Sequence, residues 1–176
     1  LGEAVKYWLF FLLAFVITAL AGESRAQELP REWHGTWAGE LKIWSPTKPL
    51  QKIPMTIVVV PLDAGKVQWR MVYDPDGKKL VKDYVLKPAP GGKLVMDEKN
   101  GIELPGRLLD DTLYFQFKVD NTLLDTRYRL SGETLTMELT TCDPNKTKPT
   151  GPSQAKVSVL DLGSMQKAVL RKISSP

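Results

Sequence analysis

The chain has 176 residues, and its 24 basic and 20 acidic side chains alternate in sign for a net charge of +4. With no block of like charge, the polybasic arms that grip nucleic acid through its phosphates are missing, so no nucleic-acid partner is expected. A single cysteine and a single histidine exclude an intramolecular disulfide and zinc sites built from several such ligands, and no cofactor or metal is implied.

At the amino-terminal side, Lys6 precedes an apolar run from Tyr7 to Leu20, followed by the small-residue patterns Ala19-Leu20-Ala21 and Ser24-Arg25-Ala26. This layout predicts a secretory signal over residues 1–26 and export to the periplasm or the cell exterior. The run is shorter than the roughly 20 apolar residues that cross a bilayer, and no second run follows, so stable membrane insertion is not expected. Residues 27–176 then form one domain, stabilised by core burial because no disulfide is available.

Downstream the pattern has period 2, with turn residues as punctuation and almost none of the i, i+3, i+4 spacing of helices. A first strand is predicted from Gly35 to Trp44, with Trp37, Gly39, Leu41 and Ile43 on one face, and Ser45 to Leu50 reads as a loop with two prolines. Strands follow at Ile53–Val60 and Lys66–Asp74, then at Lys79–Lys87 after the turn Pro75-Asp76-Gly77, and at Lys93–Glu98 before the hairpin dipeptide Asn100-Gly101. Ile102–Leu109, Thr112–Val119, Leu123–Leu130 and Thr134–Cys142 continue the rhythm. Residues 143–154 read as one long loop, and Val157–Leu162 and Met165–Ile173 as two short terminal runs.

Roughly ten strands joined by hairpins and no crossover helix predict an all-β antiparallel meander. Closure into an up-and-down barrel removes the exposed edges of such a sheet. A two-sheet sandwich, which needs longer Greek-key connections, is the alternative.

Gly35-Thr36-Trp37 at the start of the first strand resembles the G-x-W motif of lipocalins and other calycin barrels, and Lys82-Asp83-Tyr84 is similar to their T-D-Y signature with lysine for threonine. The resemblance implies a barrel with one end closed by Gly35 and Trp37, the tryptophan packing under a late-strand arginine, for which Arg171 is the positional candidate. The chain also resembles uncharacterised secreted bacterial proteins of lipocalin-like shape, a resemblance that implies a fold and no activity. The strand number is nearer that of fatty-acid-binding and nitrobindin-like barrels. The carboxylate-binding R-x-Y of the former has no counterpart, since Arg127 and Tyr128 are adjacent and face opposite ways. The haem-ligating histidine of the latter has none either, because His34 precedes the first strand.

With the apolar faces turned inward, Trp37, Trp69, Met71, Tyr73, Met96, Phe115, Phe117, Tyr128 and Met137 line the barrel, either as a filled core or as a greasy pocket with phenol hydroxyls. Asp97 and Glu98 read as charges flanking a hairpin, and the inward set contains no carboxylate. A binder of a small apolar or amphipathic molecule is therefore expected, rather than an enzyme. A protein-interaction or inhibitor module using the mouth loops is the first alternative, and a barrel isomerase the second.

Overall fold

The computed structural model describes residues 27–152 and 157–174; the expected signal segment lies outside the described residues. Ten strands run in chain order: β1 (Gly35–Ser45), β2 (Lys48–Pro61), β3 (Val67–Tyr73), β4 (Leu80–Ala89), β5 (Lys93–Asp97), β6 (Glu103–Leu109), β7 (Thr112–Val119), β8 (Thr122–Ser131), β9 (Thr134–Thr150) and β10 (Val157–Ser174). Each pairs antiparallel with the next. β1 also pairs with β10, from Thr36 opposite Ser174 to Trp44 opposite Met165, so the sheet closes on itself. The tight turns follow the sequence signals. Asp110 and Asp120 take left-handed φ values of 51° and 49°, a conformation that the short polar side chain of aspartate tolerates.

Two segments read as loops are strand instead. The β1–β2 connection turns over Pro46 and Thr47 alone, with Ser45 opposite Lys48. β9 runs on through Thr150, and the two terminal runs are one strand, β10. Thr147–Thr150 pairs with Val157–Leu160 in an arm that reaches past the barrel wall, with slips in register on either side of Leu162. Prolines mislead a reader here because they are tolerated wherever one side of a strand is free. β8 stops at Leu123 opposite Cys142, which leaves that side of β9 unpaired at Pro144 and Pro149.

Residues 27–34 cross the barrel end at which β1 begins. Leu29 and Trp33 are buried, Trp33 within a 3₁₀ turn over Arg31–Trp33. The Trp37 indole N–H donates to the Trp33 carbonyl at 3.0 Å, and the Trp33 ring lies 6.3 Å from that of Trp69. Trp37 and Trp69 are both fully buried, so three tryptophans fill this end. The Gln27 side-chain amide ties the crossing segment to the Leu108 carbonyl at 3.1 Å.

The cation over Trp37 is Lys172, not Arg171. Its Nζ stands 5.0 Å from the centre of the Trp37 ring, whereas Arg171 is exposed and donates to the Thr134 hydroxyl. The reason is register: Trp37 lies opposite Lys172 and Ala38 opposite Arg171, and residues directly opposite one another share a face. Gly35 makes room for this cap. Its φ is +136°, and a Cβ there would stand 2.6 Å from the Ser174 carbonyl oxygen and 2.8 Å from Lys172 Cε.

Truncating these residues should grade the closed end. Trp37→Ala is expected to cost about 3–5 kcal/mol in urea unfolding, Lys172→Ala about 0.5–1 kcal/mol, and Arg171→Ala less than about 0.5 kcal/mol. Equal losses for Lys172→Ala and Arg171→Ala would contradict the assigned cap.

Candidate functional site

Above the tryptophan layer the barrel is not filled. A cavity of about 170 Å³ is lined by thirteen side chains drawn from every strand between β3 and β10 or, for Glu98, from just past β5. Its floor is the buried set Met71, Met96, Phe115, Thr126, Tyr128 and Met137. Tyr73, Tyr84, Glu98, Leu104, Phe117, Leu139 and Gln166 are half-buried around the mouth. Seven of the nine residues expected inside line this cavity. Trp37 and Trp69 do not; they belong to the packed closed end. Alternation along a strand assigns a residue to a face, but not to a height along the barrel axis.

The floor is held by aromatic geometry. Tyr128 meets Trp69 edge-on at 4.9 Å and 69° and Phe115 at 6.4 Å and 81°, the arrangements that ring quadrupoles favour. Phe115 can lean inward because its partner across the β6–β7 ladder is Gly106. A Cβ on Gly106 would stand 2.5 Å from that ring and 2.6 Å from the Tyr114 carbonyl oxygen.

The polar groups of the cavity are poorly satisfied by the protein itself. The hydroxyls of Tyr73 and Tyr128 both donate to Met71 Sδ at 3.5 Å, and a thioether is a weak acceptor. The buried Thr126 hydroxyl has no partner among the described residues. Leaving such a group unpaired costs about 1–3 kcal/mol. Burial, with a smaller contribution from Tyr84, pushes the Tyr73 phenol up to about 12. Burial likewise raises Tyr128 far above the ordinary phenol range, and raises Tyr84, helped by the charge of Glu98. All three phenols therefore remain neutral donors.

Glu98 corrects the expectation of a lumen without carboxylates. Asp97 faces outward, where Lys87 reaches it at 3.1 Å and Glu103 at 2.6 Å, whereas Glu98 lines the cavity. The signal was present: Glu98 lies two residues beyond Met96, on the same face of the strand. It was obscured because Leu94, Val95 and Met96 are all buried, so the run hides its own alternation. Tyr84 was missed for a related reason, since β4 carries apolar residues on both faces. Leu139 and Gln166 lie one step of two from Met137 and Ala168.

Other polar and reactive side chains lie outside the cavity. Arg127 and Arg129 stand on the outer wall and pair with Glu138 and Asp111, both at 3.2 Å. Cys142 is a free thiol in a shallow surface depression with Leu123, Leu160 and Leu162. His34 is half-buried at the closed end. Burial, then the charges of Arg31 and Lys172, lower its pKa.

No protein-family model matches the sequence, and no curated protein matches it. Its fold is similar to solved structures. One is a protein of unknown function from the DUF3598 family of Nostoc punctiforme, with a TM-score of 0.59 and 12% identity over 88% of this chain. That overlap covers 54% of the Nostoc protein, so the chain spans about half its length. Another is an S-type phycobiliprotein lyase from Guillardia theta, with a TM-score of 0.58, 7% identity, and coverage of 82% of this chain and 90% of the lyase. A third is a protein of M. tuberculosis, with a TM-score of 0.52, 18% identity, and coverage of 83% and 99%. Identities this low establish a shared barrel fold only. Among the described residues no helix is long and apolar enough to cross a membrane.

The buried phenols make alkaline stability a test of the cavity floor. The unfolded chain ionises its tyrosines from about pH 10, while native Tyr73 holds its proton to about 12. Stability from this source is complete below pH 10 and is lost as the pH rises through that window. Thermal melts should show the melting temperature falling from pH 10 upward, with a shallower fall in Tyr128→Phe. An identical fall in both proteins would show that Tyr128 is not held neutral by burial.

Proposed function

We propose that the barrel binds a small amphipathic molecule in its open-end cavity, as a lipocalin-like carrier or receptor. The observation that carries this reading is a buried hydroxyl, Thr126, without a partner among the described residues, beside two phenols that find only a thioether there. These groups lower the stability of the empty protein and gain hydrogen bonds when a ligand supplies acceptors. The closed barrel, a fold shared with a solved phycobiliprotein lyase, is an architecture whose interior can hold one small ligand.

Size limits the ligand. The cavity of about 170 Å³ is smaller than the roughly 300 Å³ of a drug-sized pocket and close to the ~150 Å³ that accommodates a benzene ring. Burying about 200 Å² of apolar ligand at ~25 cal/mol/Å² yields roughly 5 kcal/mol, which association costs of at least ~4 kcal/mol nearly cancel. Affinity therefore rests on the polar contacts. Met71, Met96 and Met137 allow the lining to adapt to different ring shapes.

Native mass spectrometry of protein purified from its host, with displacement of a small fluorescent apolar probe, tests the reading. Wild type should bind the probe, and Met137→Trp, which fills the floor, should lose binding while keeping its melting transition. Probe binding that is indifferent to Met137→Trp would refute the site. Export after cleavage near Ala26 is part of the same proposal and is checked by the mass of the mature chain in cell fractions.

A second reading, a protein-interaction module, is favoured by the arm of β9 and β10, where Val157, Val159, Leu160 and Leu162 are exposed. Replacing residues 147–160 by a short turn separates the two. On the second reading the full chain captures a protein partner from its host and the shortened chain, though it still melts cooperatively and binds the probe, does not; equal capture by both would refute a role for the arm.

A further inference from the structure

Most carboxylates of the barrel wall are paired with cations, and among the described residues the exceptions are Glu98 and Asp125, the latter on the outer face beside Gln116, whose side-chain amide donates to it at 3.5 Å. Asp83 is paired with Arg70 and Lys99, Asp97 with Lys87, and Glu138 with Arg127 and Lys167. Glu98, among the described residues, takes part in no ion pair. Its Oε2 accepts one long bond, 3.3 Å from the Asn100 side-chain amide. It is also, among the described residues, the one charged group in the lining of the cavity. Resting on the binding reading above, we infer that the cavity selects small cationic amphiphiles: a ring-sized apolar body with a protonated amine held by Glu98.

The arrangement suits each part of such a molecule. The body enters a floor of Met71, Met96, Phe115 and Met137, and its ammonium remains at the half-buried mouth. There Tyr73, Tyr84 and Phe117 surround it with aromatic rings. Aromatic faces attract cations through the ring quadrupole. A charge-assisted N–H···O contact to a carboxylate is about twice as strong as a neutral one. An anionic ligand would instead set like charges together at a half-buried mouth, where water screens them only in part. A neutral one would cover the Glu98 carboxylate without pairing it, which is unfavourable.

Calorimetric or ligand-observed NMR titration of the full chain with benzylamine, benzyl alcohol and benzoate at neutral pH tests the inference. The three probes share one ring and differ in charge. Wild type should bind benzylamine at least about tenfold more tightly than benzyl alcohol, with benzoate weakest. Glu98→Gln preserves shape and an acceptor for Asn100. It should weaken benzylamine about tenfold while benzyl alcohol binds at least as tightly as before, the alcohol serving as the control for an intact cavity. Equal binding of amine and alcohol by wild type, or undiminished amine binding by Glu98→Gln, overturns the preference for cations while leaving the binding site standing. Binding of none of the three overturns both.

Discussion

The constraint on which the molecule depends is the hydrogen-bonded union of β1 with β10. An open ten-stranded meander would present two long edges and would place its apolar faces against no partner. Once Thr36–Trp44 runs beside Met165–Ser174, every inward residue shares one axis, and the chain can bury a core with neither a helical layer nor a disulfide. What fills that axis then depends on height. At one end three tryptophans and the crossing segment 27–34 pack solidly; toward the other, the side chains surround a space.

That space has the character of a site because of what it contains. Methionines and phenylalanines alone would leave an apolar hole. Among the described residues Thr126 has no partner, Tyr73 and Tyr128 have only a sulfur and Glu98 has no cation, all interactions that the isolated fold does not complete. The outer wall presents a contrast, for there carboxylates and cations are paired almost strand by strand. This contrast between a largely paired outer wall and an incompletely paired lumen is the basis of the proposed binding role.

Where sequence reasoning succeeded, the residues alternate cleanly. β7 places Leu113, Phe115 and Phe117 inward and Tyr114, Gln116 and Lys118 outward, and each side of the pattern is visible in the chain. Where it failed, alternation was absent or insufficient. β4 and β5 are apolar on both faces, which hid Tyr84 and Glu98. The segment 143–150 is strand despite two prolines because one of its edges is unpaired. Arg171 was one residue from the true cap, Lys172, since the register across β1 and β10 cannot be read from either strand alone.

The chain by itself therefore determined the all-β class, the hairpin order, and the membership of most residues in the inner or outer face, because these depend on period-2 patterning and turn chemistry within a few residues. The tertiary structure alone decided which strands meet across the closure, which cation covers Trp37, and how high each inward side chain stands. Those properties depend on register between segments more than a hundred residues apart, and a shift of one residue exchanges the two faces. For that reason the packed end, the cavity and the inward carboxylate became visible only when the barrel closed.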